Sequence, residues 1–158
     1  MRIQTASWER GTERKTGHVD ASVVIRNALD EGKVAEGELA PERVRTVVLN
    51  DVLVDTGATM LSLPAPLIAQ LGLKRFRETT VRTAGGLLDV RIFRGASLSV
   101  EGRVGDFECL ELPPDALPLL GVIPLEAMGL EPDIVNHVLR PLPEGPKESH
   151  ILLMSGLR

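Results

Sequence analysis

Short aliphatic and β-branched runs, broken by glycine and proline, dominate the pattern along this chain. One such run covers 47–54 and leads directly into Asp55, and another covers 59–63. Gly57 separates the two runs, a pattern that predicts strand, turn and strand. Asp55 is therefore predicted at the tip of a turn between two buried strands. A carboxylate in that place is either held by neighbouring N–H groups or takes part in chemistry.

The same pattern predicts an all-β chain with many short strands. The predicted strands cover 19–25, 45–54, 59–63, 79–83, 87–93, 96–100, 103–112 and 151–154, with a further hairpin or strand in 134–142. Ala84, Gly85 and Gly86 lie between two strands of this series, which predicts a β-hairpin with its turn at these residues. Glu101 and Gly102 are predicted to form the next turn.

Two short helices interrupt the strands. After Pro64, the residues Leu67, Ile68 and Leu71 form an apolar stripe at helical spacing, and Gly72 is a suitable residue for the helix end. A second short helix is predicted over 124–128. Residues 27–43, by contrast, are predicted to form a long loop with a helical turn beginning at Pro41.

The two halves of the chain show a faint repeat. In the first half, the turn at Gly57 is followed by an apolar run, a helix and Gly72. In the second half, Leu120 and Gly121 are followed by a short run, a helix and Gly129. Two similar halves predict a pseudo-two-fold β-fold. Residues 1–18 are predicted to be a polar, partly mobile leader, and 19–158 a single domain.

Composition narrows the possible partners and compartment. The formal net charge is -4, aromatic residues make up 3%, and tyrosine is absent. A nucleic-acid partner is not expected, because binding it needs a basic face and aromatic stacking platforms. The single cysteine excludes an intrachain disulfide and suits a reducing compartment. No signal peptide or membrane-spanning run is evident, so we expect a cytoplasmic protein without a membrane partner.

The region around Asp55 resembles the active-site segment of retropepsin-like aspartic proteases. The resemblance includes the aliphatic pair before Asp55, the loop Thr56-Gly57-Ala58, and the apolar segment and helix that follow. Leu120 and Gly121, before a short helix, look like the second conserved turn of that family. The predicted hairpin between the two turns corresponds to the family's flap. The match covers roughly residues 19–142 and is closest to small bacterial stand-alone members.

The resemblance implies a closed β-barrel with a pseudo-two-fold axis, a flap hairpin and one or two short helices. It implies an aspartic endopeptidase, a hydrolase that acts on peptide or protein substrates without a cofactor. Asp55 would be the catalytic residue, and its second carboxylate would come from a symmetry mate in a homodimer. Thr56 would hydrogen-bond across the axis, and Ala84, Gly85 and Gly86 would form the tip of the flap.

Other candidate residues have simpler explanations. Four further acids, Asp89, Asp106, Asp115 and Asp133, lack the strand and Gly context and are interpreted as surface or turn residues. Cys109 is interpreted as a small core residue rather than a nucleophile. The histidines are too scattered for a metal site. The basic residues near the flap are interpreted as a solvated face that would favour acidic peptides if it met the substrate.

Two alternatives to the protease remain open from the sequence. One is a peptide-binding module that kept the cleft and lost turnover. The other is a structural β-domain in which Asp55 only caps a turn. The intact Asp-Thr-Gly sequence argues against the peptide-binding module, because loss of turnover would be expected to erase the acid.

Overall fold

The computed structural model describes residues 4–5 and 18–143. The predicted strand at 151–154 lies outside the described residues and stays a prediction. Across the described ranges, strands predominate and the helices are short. The strands are β1 (Gln4–Thr5), β2 (Val19–Asn27), β3 (Thr46–Val54), β4 (Leu61–Pro64), β5 (Lys74–Thr83), β6 (Gly86–Val100), β7 (Arg103–Leu112), β8 (Leu119–Leu120), β9 (Leu130–Asp133) and β10 (Val138–Pro141). The helices are α1 (Ala28–Ala35), α2 (Ala65–Leu71) and α3 (Val122–Ala127), with a 3₁₀ turn at Pro41–Arg43.

One large sheet organises the molecule. Its strand order is β1-β3-β2-β6-β7-β4-β8, and β5 pairs with β6 beside this path. Strand β8 also pairs with β3. The pairings therefore run from β3 through β2, β6, β7, β4 and β8 and return to β3. Strands β9 and β10 form a separate antiparallel pair. This arrangement confirms the predicted all-β, retropepsin-like fold.

Alternating burial explains why the aliphatic runs form strands. In β2, the side chains of Val19, Ala21, Val23 and Ile25 are buried, and those between them are more exposed. Such alternation puts one face of the strand on the core and the other toward solvent. Each fully buried aliphatic side chain contributes about 1.5–3 kcal/mol.

The predicted hairpin with its turn at Ala84, Gly85 and Gly86 is confirmed, but the strand that follows the turn differs from the prediction. Thr83 pairs with Gly86, so Ala84 and Gly85 form a two-residue turn between β5 and β6. The sequence predicted separate strands at 87–93 and 96–100, whereas β6 runs continuously through both. Gly95, with φ of +93°, lies where the register of β6 against β7 shifts. A glycine bulge therefore bends one long strand instead of ending it.

Helix α1 was missed by the sequence analysis, which predicted a loop over 27–43 and at most two short helices. The side chain of Asn27 accepts a hydrogen bond from the backbone N–H of Asp30 at 3.0 Å and caps the helix. Asp30 and Glu31 in the first turn and Lys33 in the last match the helix dipole. The predicted helical turn at Pro41 is confirmed as a 3₁₀ turn.

Buried polar side chains connect the start of α1 to the end of α2. Asn27 donates through its side-chain amide to the carbonyls of Leu71, at 2.8 Å, and Gly72, at 3.2 Å. Arg45 forms a two-pronged ion pair with Asp30, at 2.8 and 2.9 Å. The hydrogen bonds from Arg45 hold the pKa of Asp30 below its usual value of 3.8. These contacts fix the end of α2, which directly follows β4.

Part of the predicted leader also has a place in the sheet. Gln4 and Thr5 of β1 pair in parallel with Val47 and Val48 of β3. Among the helices that the structure describes, none is long and apolar enough to cross a membrane.

Candidate active site

Asp55 lies immediately after β3, at the point where β3 meets β8. Leu53 and Val54 pair in parallel with Leu119 and Leu120. The backbone N–H of Asp55 donates to the carbonyl oxygen of Leu120 at 3.0 Å, which extends this pairing to Asp55 itself. The side chain is half-buried. The carboxylate is therefore anchored at a strand end, where the backbone is held from both sides but the side chain is still accessible.

The loop that follows folds back onto the carboxylate. The N–H of Ala58 donates to the backbone carbonyl of Asp55 at 3.1 Å and closes a tight turn. The N–H of Gly57 donates to the Asp55 Oδ1 atom at 2.9 Å. A Cβ at Gly57 would lie 3.1 Å from the same oxygen, so a side chain there would crowd the carboxylate. The loop thus orients one carboxylate oxygen of Asp55. Thr56 and Gly57 are themselves exposed to solvent.

The second glycine turn packs directly behind this loop. Gly121 is buried, and a Cβ there would lie 2.6 Å from the carbonyl oxygen of Met60 and 2.7 Å from that of Ala58. Real Cβ contacts do not become this short. The backbone φ of Gly121, -92°, is available to any residue. Glycine is therefore needed here for lack of space and not for its conformational freedom.

Helix α3 begins on the carbonyl groups of the active-site loop. The N–H of Val122 donates to the carbonyl of Ala58 at 2.9 Å, and that of Ile123 donates to Thr59 at 2.9 Å. The first N–H groups of a helix have no partner within it, so the loop satisfies donors that would otherwise need water. The two turns predicted from the sequence, at Gly57 and Gly121, are therefore joined by backbone hydrogen bonds into one unit.

The turn of the flap hairpin is stabilised by hydrogen bonds of the Thr83 side chain. At the turn, the Thr83 hydroxyl donates to the carbonyl of Gly86 at 3.0 Å and accepts from the N–H of Gly85 at 3.2 Å. Gly86 has φ of +118°, a conformation that strongly favours glycine. Just beyond the turn, Leu87 is 71% exposed. The hairpin thus carries an apolar side chain at its tip that the described residues do not cover.

Three of the basic residues near the flap, Arg75, Arg77 and Arg91, have acidic partners. Arg91 pairs with Glu111 through Nε at 2.8 Å, and Arg77 lies 3.5 Å from Glu108. Arg75 pairs with Glu78. The guanidinium group of Arg94 stacks on the ring of Phe76, 3.2 Å from its centroid. Carboxylates consequently balance part of the positive charge that could have favoured acidic peptides.

The remaining acids do not form a pair with Asp55 in this chain. Asp89 accepts from the Thr80 hydroxyl at 2.7 Å on the flap. Asp133 accepts from the side chain of Asn136 at 2.8 Å, and this hydrogen bond lowers the pKa of Asp133. Asp106 and Asp115 are exposed. Within the described residues, no second carboxylate hydrogen-bonds to Asp55.

Cys109 fits its simpler interpretation as a core residue. Cys109 is fully buried in β7, and burial raises the pKa of its thiol. A protonated thiol inside the core is a poor nucleophile. His137 contacts the carbonyl of His18 through Nδ1 at 3.1 Å. No cluster of three metal-ligating side chains occurs in the described ranges; His150 lies outside them.

Sequence reasoning missed the surroundings of the loop. A cavity of about 210 Å³ is lined by Met60 of the loop segment, by residues of β7 and by the start of α3. Asp106 and Glu108, which the sequence suggested only as strand or surface acids, lie at this cavity. No motif could have indicated it, because the cavity is formed by three segments that meet only in the folded chain.

The fold and the site together define a class of protein. An Asp-Thr-Gly turn, a second glycine turn bonded to it, and a hairpin between them in the chain are the features of a retropepsin-like aspartic protease. The family model for aspartyl proteases matches residues 30–131. The chain belongs to this family, which supports a general aspartic protease function. No curated protein matches the chain.

Proposed function

We propose that this protein is an aspartic endopeptidase whose active site forms at the axis of a homodimer. Asp55 of each chain would contribute one carboxylate, and the substrate would be a peptide or protein. The observation that carries the proposal is the position of Asp55. It is half-buried at a strand end, and one carboxylate oxygen is oriented by the N–H of Gly57 at 2.9 Å.

The dimer follows from the number of carboxylates that the chemistry needs. Aspartic proteolysis uses two carboxylates that share one proton, because like charges a few ångströms apart do not both ionise. The chain contains one Asp-Thr-Gly sequence. Asp89 and Asp133 are engaged in local hydrogen bonds elsewhere. The second carboxylate is therefore assigned to Asp55 of a second copy, through an interface in which both chains use the same surface.

In this mechanism the ionised carboxylate takes a proton from a water molecule. The oxygen of that water attacks the scissile carbonyl carbon, while the protonated carboxylate donates its proton to the carbonyl oxygen. When the C–N bond of the resulting tetrahedral intermediate breaks, the leaving nitrogen receives a proton from one carboxyl group. A hydroxyl of the intermediate returns its proton to the other carboxylate, which restores the singly protonated pair. Neither a covalent enzyme intermediate nor a cofactor takes part.

The exposed parts of the site have roles in the same proposal. Thr56 is exposed beside Asp55 and would hydrogen-bond to the loop of the partner chain. The hairpin with its tip at Ala84, Gly85 and Gly86 would close over the bound peptide and exclude water. The proposal includes a cytoplasmic location, which rests on the single cysteine and the disulfide-free chain.

The test is hydrolysis of a peptide library by the wild type, Asp55→Asn and Asp115→Asn. Asparagine keeps the shape of Asp55 but cannot share or transfer the proton, so Asp55→Asn should abolish turnover and keep the unfolding temperature. Asp115→Asn, at an exposed acid outside the Asp-Thr-Gly turn, should retain full activity. Substantial turnover by Asp55→Asn would refute the mechanism.

The same experiment distinguishes the alternatives to a protease. Peptides that bind the wild type without being cleaved would indicate a binding module that kept the cleft. A protein that neither binds nor cleaves any peptide would indicate a structural β-domain.

A further inference from the structure

The cavity beside the active-site loop has one apolar and one acidic part. Its lining includes Met60, Asp106, Phe107, Glu108, Ile123 and Pro124. It is connected to the loop of Asp55 through the hydrogen bond from the N–H of Ile123 to the carbonyl of Thr59, at 2.9 Å. The cavity therefore lies next to the loop that carries Asp55.

The walls are built from large apolar side chains. Phe107 is partly buried against the core, and its ring lies over Gly105. A Cβ at Gly105 would come within 2.7 Å of that ring, so the glycine lets the ring lie flat along β7. Ile123, opposite in α3, is 50% exposed. These side chains leave an apolar surface that a bound chain can cover.

In the acidic part, Glu108 is partly neutralised by Arg77, whereas Asp106 has no ion pair within the described residues. Asp106 is exposed, and in the described part of the chain it has neither an ion pair nor a hydrogen bond from a side chain. Glu108 has a single cation nearby, Arg77, at the long distance of 3.5 Å. Asp106 and Glu108 are alternate residues of β7, so their side chains share one face of the strand, and Phe107 between them faces the other.

Size and chemistry together limit what the cavity accepts. At about 210 Å³ it is smaller than the usual range for a small-molecule site, which begins at about 300 Å³, and it therefore suits a single side chain. Lysine and arginine combine a long apolar stem with a charged end that stays near solvent. That shape matches apolar walls with carboxylates at the opening.

We propose that this cavity is a subsite for a lysine or arginine side chain of the bound peptide. The proposal rests on the proposed peptide substrate and names its preferred residue. It differs from the preference for acidic peptides that the basic residues near the flap could have given, because Arg75 and Arg91 already have acidic partners.

The test measures binding separately from cleavage. Synthetic peptides that carry lysine, norleucine or glutamate at one position in a constant background are bound to the Asp55→Asn protein and followed by fluorescence polarisation. Norleucine keeps the apolar stem and lacks the charge. Lysine should bind about fivefold tighter than norleucine, the upper range for an exposed ion pair. Glutamate should bind more weakly than either.

Variants assign the preference to the cavity. In the Asp55→Asn background, Asp106→Asn with Glu108→Gln should abolish the difference between lysine and norleucine while leaving norleucine binding unchanged. Glu126→Gln removes one exposed carboxylate from α3 outside the cavity and should keep the preference. Equal binding of lysine and norleucine, or an unchanged preference in the double variant, would overturn the subsite.

Cleavage of the same peptides by the wild type separates the two proposals. Binding with a lysine preference but without cleavage would refute the endopeptidase and support the subsite. Cleavage that does not differ between lysine and norleucine would support the endopeptidase and refute the subsite.

Discussion

The backbone N–H of Asp55 donates a hydrogen bond to the carbonyl oxygen of Leu120 at 3.0 Å, so the two glycine turns of this fold are in direct contact. Gly121, the next residue, lies against the carbonyl groups of Ala58 and Met60. The position of the Asp55 carboxylate thus depends on a segment far away in the sequence. Changes at the second turn should affect activity through the first.

Gly121→Ala should therefore reduce both stability and activity. The added methyl group would meet backbone atoms of Met60 and Ala58 at 2.6–2.7 Å, and backbone cannot swing away as a side chain can. We expect a loss of about 1–3 kcal/mol in the free energy of unfolding. A displacement of about 1 Å at Asp55 would lower kcat/KM by about a hundredfold. Denaturant unfolding and peptide hydrolysis measure the two effects.

Gly32→Ala is the matched control for this substitution. Gly32 lies in α1, and a Cβ there meets nothing within 4 Å. Alanine should stabilise the helix by about 0.5–1 kcal/mol and leave kcat/KM unchanged. If Gly121→Ala matched Gly32→Ala in both measurements, the close approach at the second turn would have no energetic importance.

Asp30→Asn should destabilise the protein in a pH-dependent way. Asp30 is 4% exposed and accepts from Arg45 at 2.8 and 2.9 Å. Removing the charge should cost about 2–3 kcal/mol at neutral pH. Because the hydrogen bonds from Arg45 lower the pKa of Asp30 in the folded state, its stabilisation is present above its unfolded pKa and is lost as the pH falls through the folded value.

The stability difference between wild type and Asp30→Asn should consequently be constant from about pH 5 to 7 and shrink below about pH 4. Thermal unfolding across this range measures the difference. Glu38→Gln, at an exposed position in the loop after α1, should change stability little at any pH. A difference that persisted undiminished in acid would mean that the Asp30 charge is not its source.

The sequence predicted the segments that meet at the site better than it predicted what supports them. Asp55 and its turn could be recognised because their neighbours form local strand and turn patterns. Helix α1 was missed because its cap, Asn27, also binds Leu71 and Gly72, and such a long-range contact leaves no local pattern. The bulge at Gly95 was interpreted as a break for the same reason, since only pairing with β7 shows that β6 continues.

The cavity at Phe107 illustrates a second limit. Residues Met60, Phe107 and Ile123 are far apart in the chain, and each alone reads as an ordinary apolar residue of a strand or helix. Their meeting depends on the parallel pairing of β4 with β7, in which Leu61 pairs with Cys109. A parallel pairing connects distant segments without a turn between them, so local patterns do not reveal it.

Native Cys109 should resist alkylation. The thiol is fully buried, and burial raises its pKa, so neither access nor thiolate is available at neutral pH. Iodoacetamide should modify the protein only after denaturant is added, as mass spectrometry would show. Cys109→Ala should keep kcat while lowering stability. Rapid labelling of the folded protein, or loss of kcat in Cys109→Ala, would contradict the interpretation of Cys109 as a core residue.

Leu87→Ser should weaken catalysis without affecting the fold. Leu87 is 71% exposed at the tip of the flap hairpin, so its replacement should change the free energy of unfolding by no more than about 0.5 kcal/mol. If the flap closes over the peptide, the lost apolar contact should raise KM severalfold. Val104→Ser, at a residue of β7 that is 68% exposed, is the control and should change neither quantity. Equal kinetics for both variants would remove Leu87 from the substrate site.

Activity per chain should depend on protein concentration. If each chain supplies one Asp55, a monomer holds half of the catalytic pair, and specific activity must fall when the protein is diluted below its dimer dissociation constant.

Mixing provides the sharper measurement, because Asp55→Asn chains should form mixed dimers with a single carboxylate. With equal amounts of the two chains and random pairing, about half of the wild-type activity should remain, and a large excess of the variant should remove nearly all of it. Asp115→Asn chains, which keep Asp55, should not inhibit in the same mixture. Activity per wild-type chain that is unaffected by Asp55→Asn, after exchange of subunits has been demonstrated, would show that one chain holds a complete site.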